Sequence, residues 1–242
     1  MKIKHVLLAA VLMGSLSATA KDYHYTTIPG DAMKTRIYTL DNGLTVYMSV
    51  NKEKPRLQAN IAVKTGSRND PAETTGLAHY LEHLMFKGTQ KFGTTDPAKE
   101  KPYLDEITRR YESYRKLTDP AQRKQAYHEI DSVSQLAAKY NIPNEYDKLM
   151  ASIGSQGTNA YTSNDVTCYV ENIPNNEIEN WAKVQSDRFQ NMVIRGFHTE
   201  LEAVYEEKNI SMASDNTKEF AALWKLLTPT HPYGTQTTIG EQ

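Results

Sequence analysis

The sequence predicts an α+β fold, a mostly antiparallel sheet packed against helices and carrying an inserted helical hairpin. Three observations predict it. Short β-rich runs alternate with turn residues, helical periodicity fills the segments between them, and a charged, tyrosine-rich stretch at 97–150 interrupts the strands.

Ahead of these elements, residues 1–20 read as a secretory signal. Lys2 and Lys4 precede an apolar run centred on 6–13, and Ala18-Thr19-Ala20 supplies the small residues of a cleavage site. The run is well short of the roughly 20 apolar residues that span a bilayer. The mature chain is therefore expected to start at Lys21, exported to a periplasm or the exterior, with no membrane attachment after cleavage.

The first strands, 36–40 and 44–48, flank Asp41-Asn42-Gly43, a strong hairpin-turn signal. A third strand at 57–63 alternates apolar and polar residues and is closed by Gly66-Ser67 and Asn69-Asp70-Pro71. A helix is expected at 74–86, ended by Gly88. The 97–150 stretch reads as the inserted helical hairpin. Its stripes run through Tyr103, Ile107, Tyr111 and Tyr114 and then Ala126, Ile130, Val133, Ala137 and Tyr140, with Asp119-Pro120 as cap and first-turn proline between them. The tyrosines fall on the helical period and read as packing. Strands follow at 156–162 and 166–171, then an amphipathic helix at 176–189 after Ile173-Pro174, and a helical segment at 198–227 interrupted near Ser214.

With 28 Lys plus Arg against 29 Asp plus Glu, the net charge is -1, so no basic surface points to nucleic acid. Cys168 is the one cysteine, which excludes an intrachain disulfide, and its alternating context predicts a small buried hydrophobe. His24, His128, His198 and His231 have no partner spacing and are expected at the surface or in caps.

The chemistry is concentrated in Gly76-Leu77-Ala78-His79-Tyr80-Leu81-Glu82-His83-Leu84-Met85. On a helix, His79 and His83 share a face and Glu82 lies one turn from His79, so all three project into an arc of about 100°. Two imidazoles can then converge on one metal with a carboxylate beside it, the arrangement that metal-assisted hydrolysis uses. Leu77, Ala78, Leu81, Leu84 and Met85 make the helix apolar and predict that it is buried. Buried charged groups need a partner or a metal.

A catalytic zinc takes a third protein ligand. The helix starting at His198 offers Glu200, Glu202, Glu206 and Glu207. Helical phase puts Glu200 and Glu207 within about 20° of each other, on the side of Ala203, Val204, Ile210 and Ser211, and Glu202 and Glu206 opposite. One of the inward pair can bind the metal and the other can hydrogen-bond a ligand from behind. Phase alone does not choose between them.

These motifs resemble the pitrilysin/insulinase family of zinc metallopeptidases, whose inverzincin order is H-x-x-E-H, in an exported bacterial branch with a helical insertion. The resemblance extends over Asp41-Asn42-Gly43-Leu44, Gly66-Ser67 and Asn159-Ala160-Tyr161-Thr162. It implies one Zn2+ per chain held by His79, His83 and Glu207, with Glu82 as general base and Glu200 hydrogen-bonded to a ligand. It also implies that Asn159, Ala160, Tyr161 and Thr162 form a sheet edge that pairs with an extended peptide substrate. His83 and Glu207 are 124 positions apart, longer than the family interval, and the 97–150 insertion accommodates the surplus.

The expected function is zinc-dependent endopeptidase action on peptides or unfolded polypeptides. The family builds its enzymes from two similar halves, so residues 21–242 are expected to be an N-terminal zinc-peptidase domain, truncated at its C-terminal end and completed by a homologous second half or partner subunit. One alternative is a non-catalytic substrate-binding or partner subunit, which the intact Glu82 opposes. Another is a small-molecule lyase with a cysteine ligand, for which Cys168 would have to serve.

Overall fold

The computed structural model of the protein describes residues 21–240, and the expected signal at 1–20 lies outside the described residues. The chain forms two compact units, one ending at Lys54 and the other starting at Pro55.

The first unit is an antiparallel sheet of β1 (Tyr25–Thr27), β2 (Arg36–Thr39) and β3 (Thr45–Met48), in that order. Asp41-Asn42-Gly43 makes the β2–β3 turn as expected. Gly43 takes φ +86°, the left-handed region that favours glycine, and its N–H donates to Leu40 O at 2.9 Å. β1 has only three residues, too few to show a period.

The second unit is built on an antiparallel sheet of β4 (Arg56–Val63), β5 (Gln156–Thr162) and β6 (Thr167–Pro174) in the order β4-β6-β5. The central strand β6 is the most buried, and Cys168 is among its buried residues. It runs past the expected end at Glu171 because Ile173 and Pro174 still pair with Leu57 and Arg56. Pro174 is the final residue, where its missing N–H costs the ladder least.

Between β4 and β5 lie four helices, α1 (Leu77–Leu84), α2 (Pro97–Tyr114), α3 (Pro120–Ala138) and α4 (Glu145–Ser152). α1 is shorter than the expected 74–86. It starts at Gly76, whose φ of +87° brings its backbone so close to Gly240 that a Cβ would lie 2.9 Å from that residue's Cα. The N-terminal donors are capped from a distance: Gly76 N and Ala78 N donate to the Asp70 carboxylate at 2.7 and 3.0 Å. At the other end Arg188 Nε donates to Met85 O at 3.0 Å. Both charges suit the helix dipole.

The expectation that α1 is buried holds for part of the helix only. Ala78, Tyr80, Glu82 and Leu84 are buried, but Leu77 and Leu81 are 45% and 48% exposed. The helix is wedged between a helix on one side and β5 and β6 on the other, which leaves one strip uncovered.

α2 and α3 form the expected hairpin, with Asp96 and Asp119 as N-caps accepting from Lys99 N and Gln122 N. Tyr103 stacks on Tyr140 at 6.0 Å and Tyr114 contacts Tyr127 at 6.2 Å, so these rings do pack. The 97–150 stretch also takes in most of α4, which lies outside the hairpin and runs on to Ser152. Tyr146 and Met150 of α4 join Phe92 and Ile173 in the core under the sheet.

After β6 come α5 (Ile178–Asn191), α6 (Phe197–Met212), α7 (Asp215–Leu227) and the single turn α8 (Pro232–Thr235). α5 starts two residues later than expected because 175–177 form a 3-10 turn. The break between α6 and α7 falls at Ser214, as expected. Tyr80 and Leu84 of α1 meet Val204 of α6 in a second apolar cluster, which fixes the crossing of the two helices.

Candidate metal centre

α1 and α6 bring four of the expected residues together. His79 Nε2 and His83 Nε2 face each other at 3.3 Å. Glu207 Oε2 lies 3.4 Å from His83 Nε2 and 3.9 Å from His79 Nε2. One Glu82 carboxylate oxygen lies within 4.8 Å of a ring nitrogen of each histidine. His79 and His83 are half-buried, Glu82 is 7% exposed, and Glu207 opens to the cleft.

These distances test whether a zinc ion fits. A tetrahedral site with metal–ligand bonds of 2.0–2.1 Å has ligand–ligand edges of about 3.3 Å. The triangle of 3.3, 3.4 and 3.9 Å matches one face of such a tetrahedron, loosest at the Glu207 corner. Two imidazole nitrogens and one carboxylate oxygen are also a donor set that zinc favours, with the fourth corner left for water or substrate.

The surrounding charges suit this use. Burial, reinforced by neighbouring His83, pushes His79 below its ordinary value and so favours the neutral ring. His83 is pushed up, chiefly by its hydrogen bond to Glu200, whose Oε1 lies 2.9 Å from His83 Nδ1. With Nδ1 committed to Glu200, Nε2 is the nitrogen left for a metal. Burial works to raise the Glu200 carboxyl, but hydrogen bonds from His83 and Lys87 outweigh it and hold the group below its ordinary value. Lys87 pairs with the other Glu200 oxygen.

Glu202 and Glu206 are exposed on α6, as the helix phase predicted. The accompanying expectation that Ala203 and Ile210 face inward is corrected, because both are exposed and Val204 and His198 are the buried residues of α6. Beyond Val204 the helix borders an open cleft of about 1030 Å³ instead of packing.

That cleft is also lined by Asn159, Ala160, Tyr161 and Thr162 of the edge strand β5. Thr162 does more than line it, since its Oγ1 donates to Glu82 Oε2 at 2.6 Å and steadies the carboxylate beside the two histidines. Sequence reading placed Thr162 in the right strand without this role. It also missed Asp70, seen only as part of a loop signal, and Arg188 and Lys87, whose partners are set by tertiary folding. His198 is a correction as well: it is 4% exposed rather than on the surface, because Tyr111 and Tyr127 of the hairpin cover it.

Known proteins resemble this chain in one segment and in fold. Residues 45–100, which include α1, match the family described as Insulinase (Peptidase family M16). A Dictyostelium discoideum insulin-degrading enzyme homolog is 35% identical over 92 residues, covering 38% of this chain and 9% of that protein. The mitochondrial-processing peptidase subunit beta of Neurospora crassa is 44% identical over 62 residues, covering 26% of this chain and 13% of that protein. The matched stretch is thus a small part of these relatives' length. The crystal structure of pitrilysin superimposes with a TM-score of 0.59 over 90% of this chain and 19% of its own, at 17% identity, a likeness of fold.

Proposed function

We propose that the chain belongs to the insulinase family of peptidases, which residues 45–100 match, and that it carries the zinc site of an endopeptidase that hydrolyses peptides or unfolded polypeptides. The single observation that carries this reading is the triangle of His79 Nε2, His83 Nε2 and Glu207 Oε2, with the Glu82 carboxylate beside it.

In this reading His79, His83 and Glu207 hold one zinc ion. Bound there, zinc supplies Lewis acidity to a peptide carbonyl and lowers the pKa of a water molecule. Glu82 takes the water's proton as general base and returns it to the leaving amine. Thr162 occupies one Glu82 oxygen, which fixes the direction in which the other presents itself. Glu200 holds the His83 ring in the tautomer that offers Nε2. β5 is an edge strand, so its free main-chain groups can pair with an extended peptide laid across the cleft, an interaction with little sequence preference.

One matched relative is named as a peptidase subunit, which favours a cleft completed by a homologous second half or partner subunit. Export to a periplasm or the exterior remains part of the proposal, on the strength of residues 1–20. Among the described residues no helix is long and apolar enough to cross a membrane.

The test is Glu82→Gln in the complete protein. It is expected to keep about one zinc per chain while peptide hydrolysis falls by about 100-fold or more. Wild-type protein that takes up no zinc from zinc-replete medium contradicts the reading.

A further inference from the structure

The α2–α3 hairpin contributes no residue to the metal cleft, yet it reaches the cleft's two ligand-bearing helices through buried contacts. The first of these is polar. Arg195, just ahead of α6, pairs with Glu100 of α2 at 2.7 Å, with side chains 2% and 1% exposed. Its Nη1 also donates to Lys87 O and Phe92 O at 3.3 and 3.4 Å, on the segment leaving α1. One guanidinium thus ties the hairpin, the exit of α1 and the entry of α6.

The second contact is aromatic and falls on the first turn of α6. The Tyr111 hydroxyl and His198 Nδ1 share a 3.1 Å hydrogen bond, and the Tyr127 ring lies 4.0 Å from the His198 ring. Tyr111 also meets Phe197 at 4.9 Å, and Phe197 meets Tyr80 of α1 at 5.0 Å. The Tyr80 hydroxyl donates to Phe197 O. His198 stands two residues before Glu200 and nine before Glu207.

We propose that the hairpin is a brace that sets α6 against α1, with Tyr111 and His198 as its positioning residues. The proposal rests on the zinc reading for its functional consequence, and its geometry stands independently of that reading. Nine residues of helix span about 13.5 Å, so a tilt of about 10° at His198 displaces Glu207 by about 2 Å. Metal–ligand distances tolerate about 0.2 Å. Val204, packed on Tyr80 and Leu84, is the other buried residue of α6, so the direction of the helix is set at two points, the Val204 cluster and the first turn that the hairpin holds. A lid would line the cleft, whereas these residues touch the helices behind it.

The experiment uses the full chain with Tyr111→Phe and His198→Phe, which keep a ring in each position and remove the hydrogen bond. Glu129→Ala, which breaks the hairpin's exposed ion pair to Arg110, serves as control. Amide hydrogen exchange over 197–207 reads the brace directly. Zinc affinity by chelator competition and the visible spectrum of the cobalt-substituted protein read its consequence. Exchange about tenfold faster, zinc binding about tenfold weaker and an altered cobalt spectrum are expected in both variants, with the control at wild-type values. Wild-type exchange in both variants overturns the brace, whatever happens to the metal. Faster exchange with no zinc bound even by wild-type protein instead retains the brace and removes the zinc reading.

Discussion

Glu200→Gln isolates the carboxylate that holds His83 while leaving His79, His83 and Glu207 themselves unsubstituted. Glu200 Oε1 lies 2.9 Å from His83 Nδ1, the Glu200 side chain is only 14% exposed, and its other oxygen pairs with Lys87. A hydrogen bond to a charged group in such a place is worth about 1.5–3 kcal/mol. Glutamine keeps an acceptor oxygen but loses the charge, so about half of that is forfeited, roughly 1 kcal/mol or about fivefold in zinc affinity. Alanine removes the acceptor altogether and should approach a 100-fold loss, the upper range for a group behind a metal-bound histidine. Chelator competition at fixed pH measures both. Glu202→Gln, on the exposed side of the same helix, should bind zinc like wild type. Equal affinity in Glu200→Gln and wild type, or an equal loss in Glu202→Gln, would refute the role assigned to Glu200.

Two further substitutions probe other parts of the account. Glu207→Gln should weaken zinc binding by about 100-fold or more, since it removes a proposed ligand, while Glu206→Gln should leave it unchanged; the reverse ranking would show that α6 is set in another phase. Asp187 of α5 accepts from Thr89 Oγ1 at 2.6 Å and from Lys91 Nζ at 2.7 Å, tying down the segment that leaves α1. Burial acts to raise its carboxyl, but those bonds and one from Asn191 prevail and hold it below its ordinary 3.8. Its ionised form therefore favours the fold at pH values above that figure, and the contribution is lost as pH falls through the lower folded-state value. Urea denaturation should show Asp187→Asn less stable by about 1–3 kcal/mol at neutral pH, with the difference shrinking below pH 3.8. A difference independent of pH would contradict this.

What the sequence made legible was local in origin. The spacing of His79, Glu82 and His83 needs only a helix to bring their side chains together, and the seven-residue step from Glu200 to Glu207 needs only helical phase. The structure does place Glu200 and Glu207 both against His83. Asp41-Asn42-Gly43 was equally readable because its turn closes within a few residues. The illegible features depend on partners distant in the chain. His198 looked like a surface histidine because Tyr111, 87 positions away, supplies its hydrogen bond. Arg188 reaches Met85 across 103 positions, and no periodicity encodes that contact. Leu77 and Leu81 misled in the other direction: their apolar character suggested burial, and only the packing of α1 between α6 and the sheet shows which strip stays open.

The central claim is that two histidines of α1 and one glutamate of α6 hold a single zinc ion. Anomalous diffraction at the zinc edge from crystals of the zinc-loaded protein tests it most directly. One anomalous peak per chain is predicted, about 2.0–2.2 Å from His79 Nε2, His83 Nε2 and Glu207 Oε2. A peak lying elsewhere, or no peak between these three atoms at full zinc loading, would contradict the account.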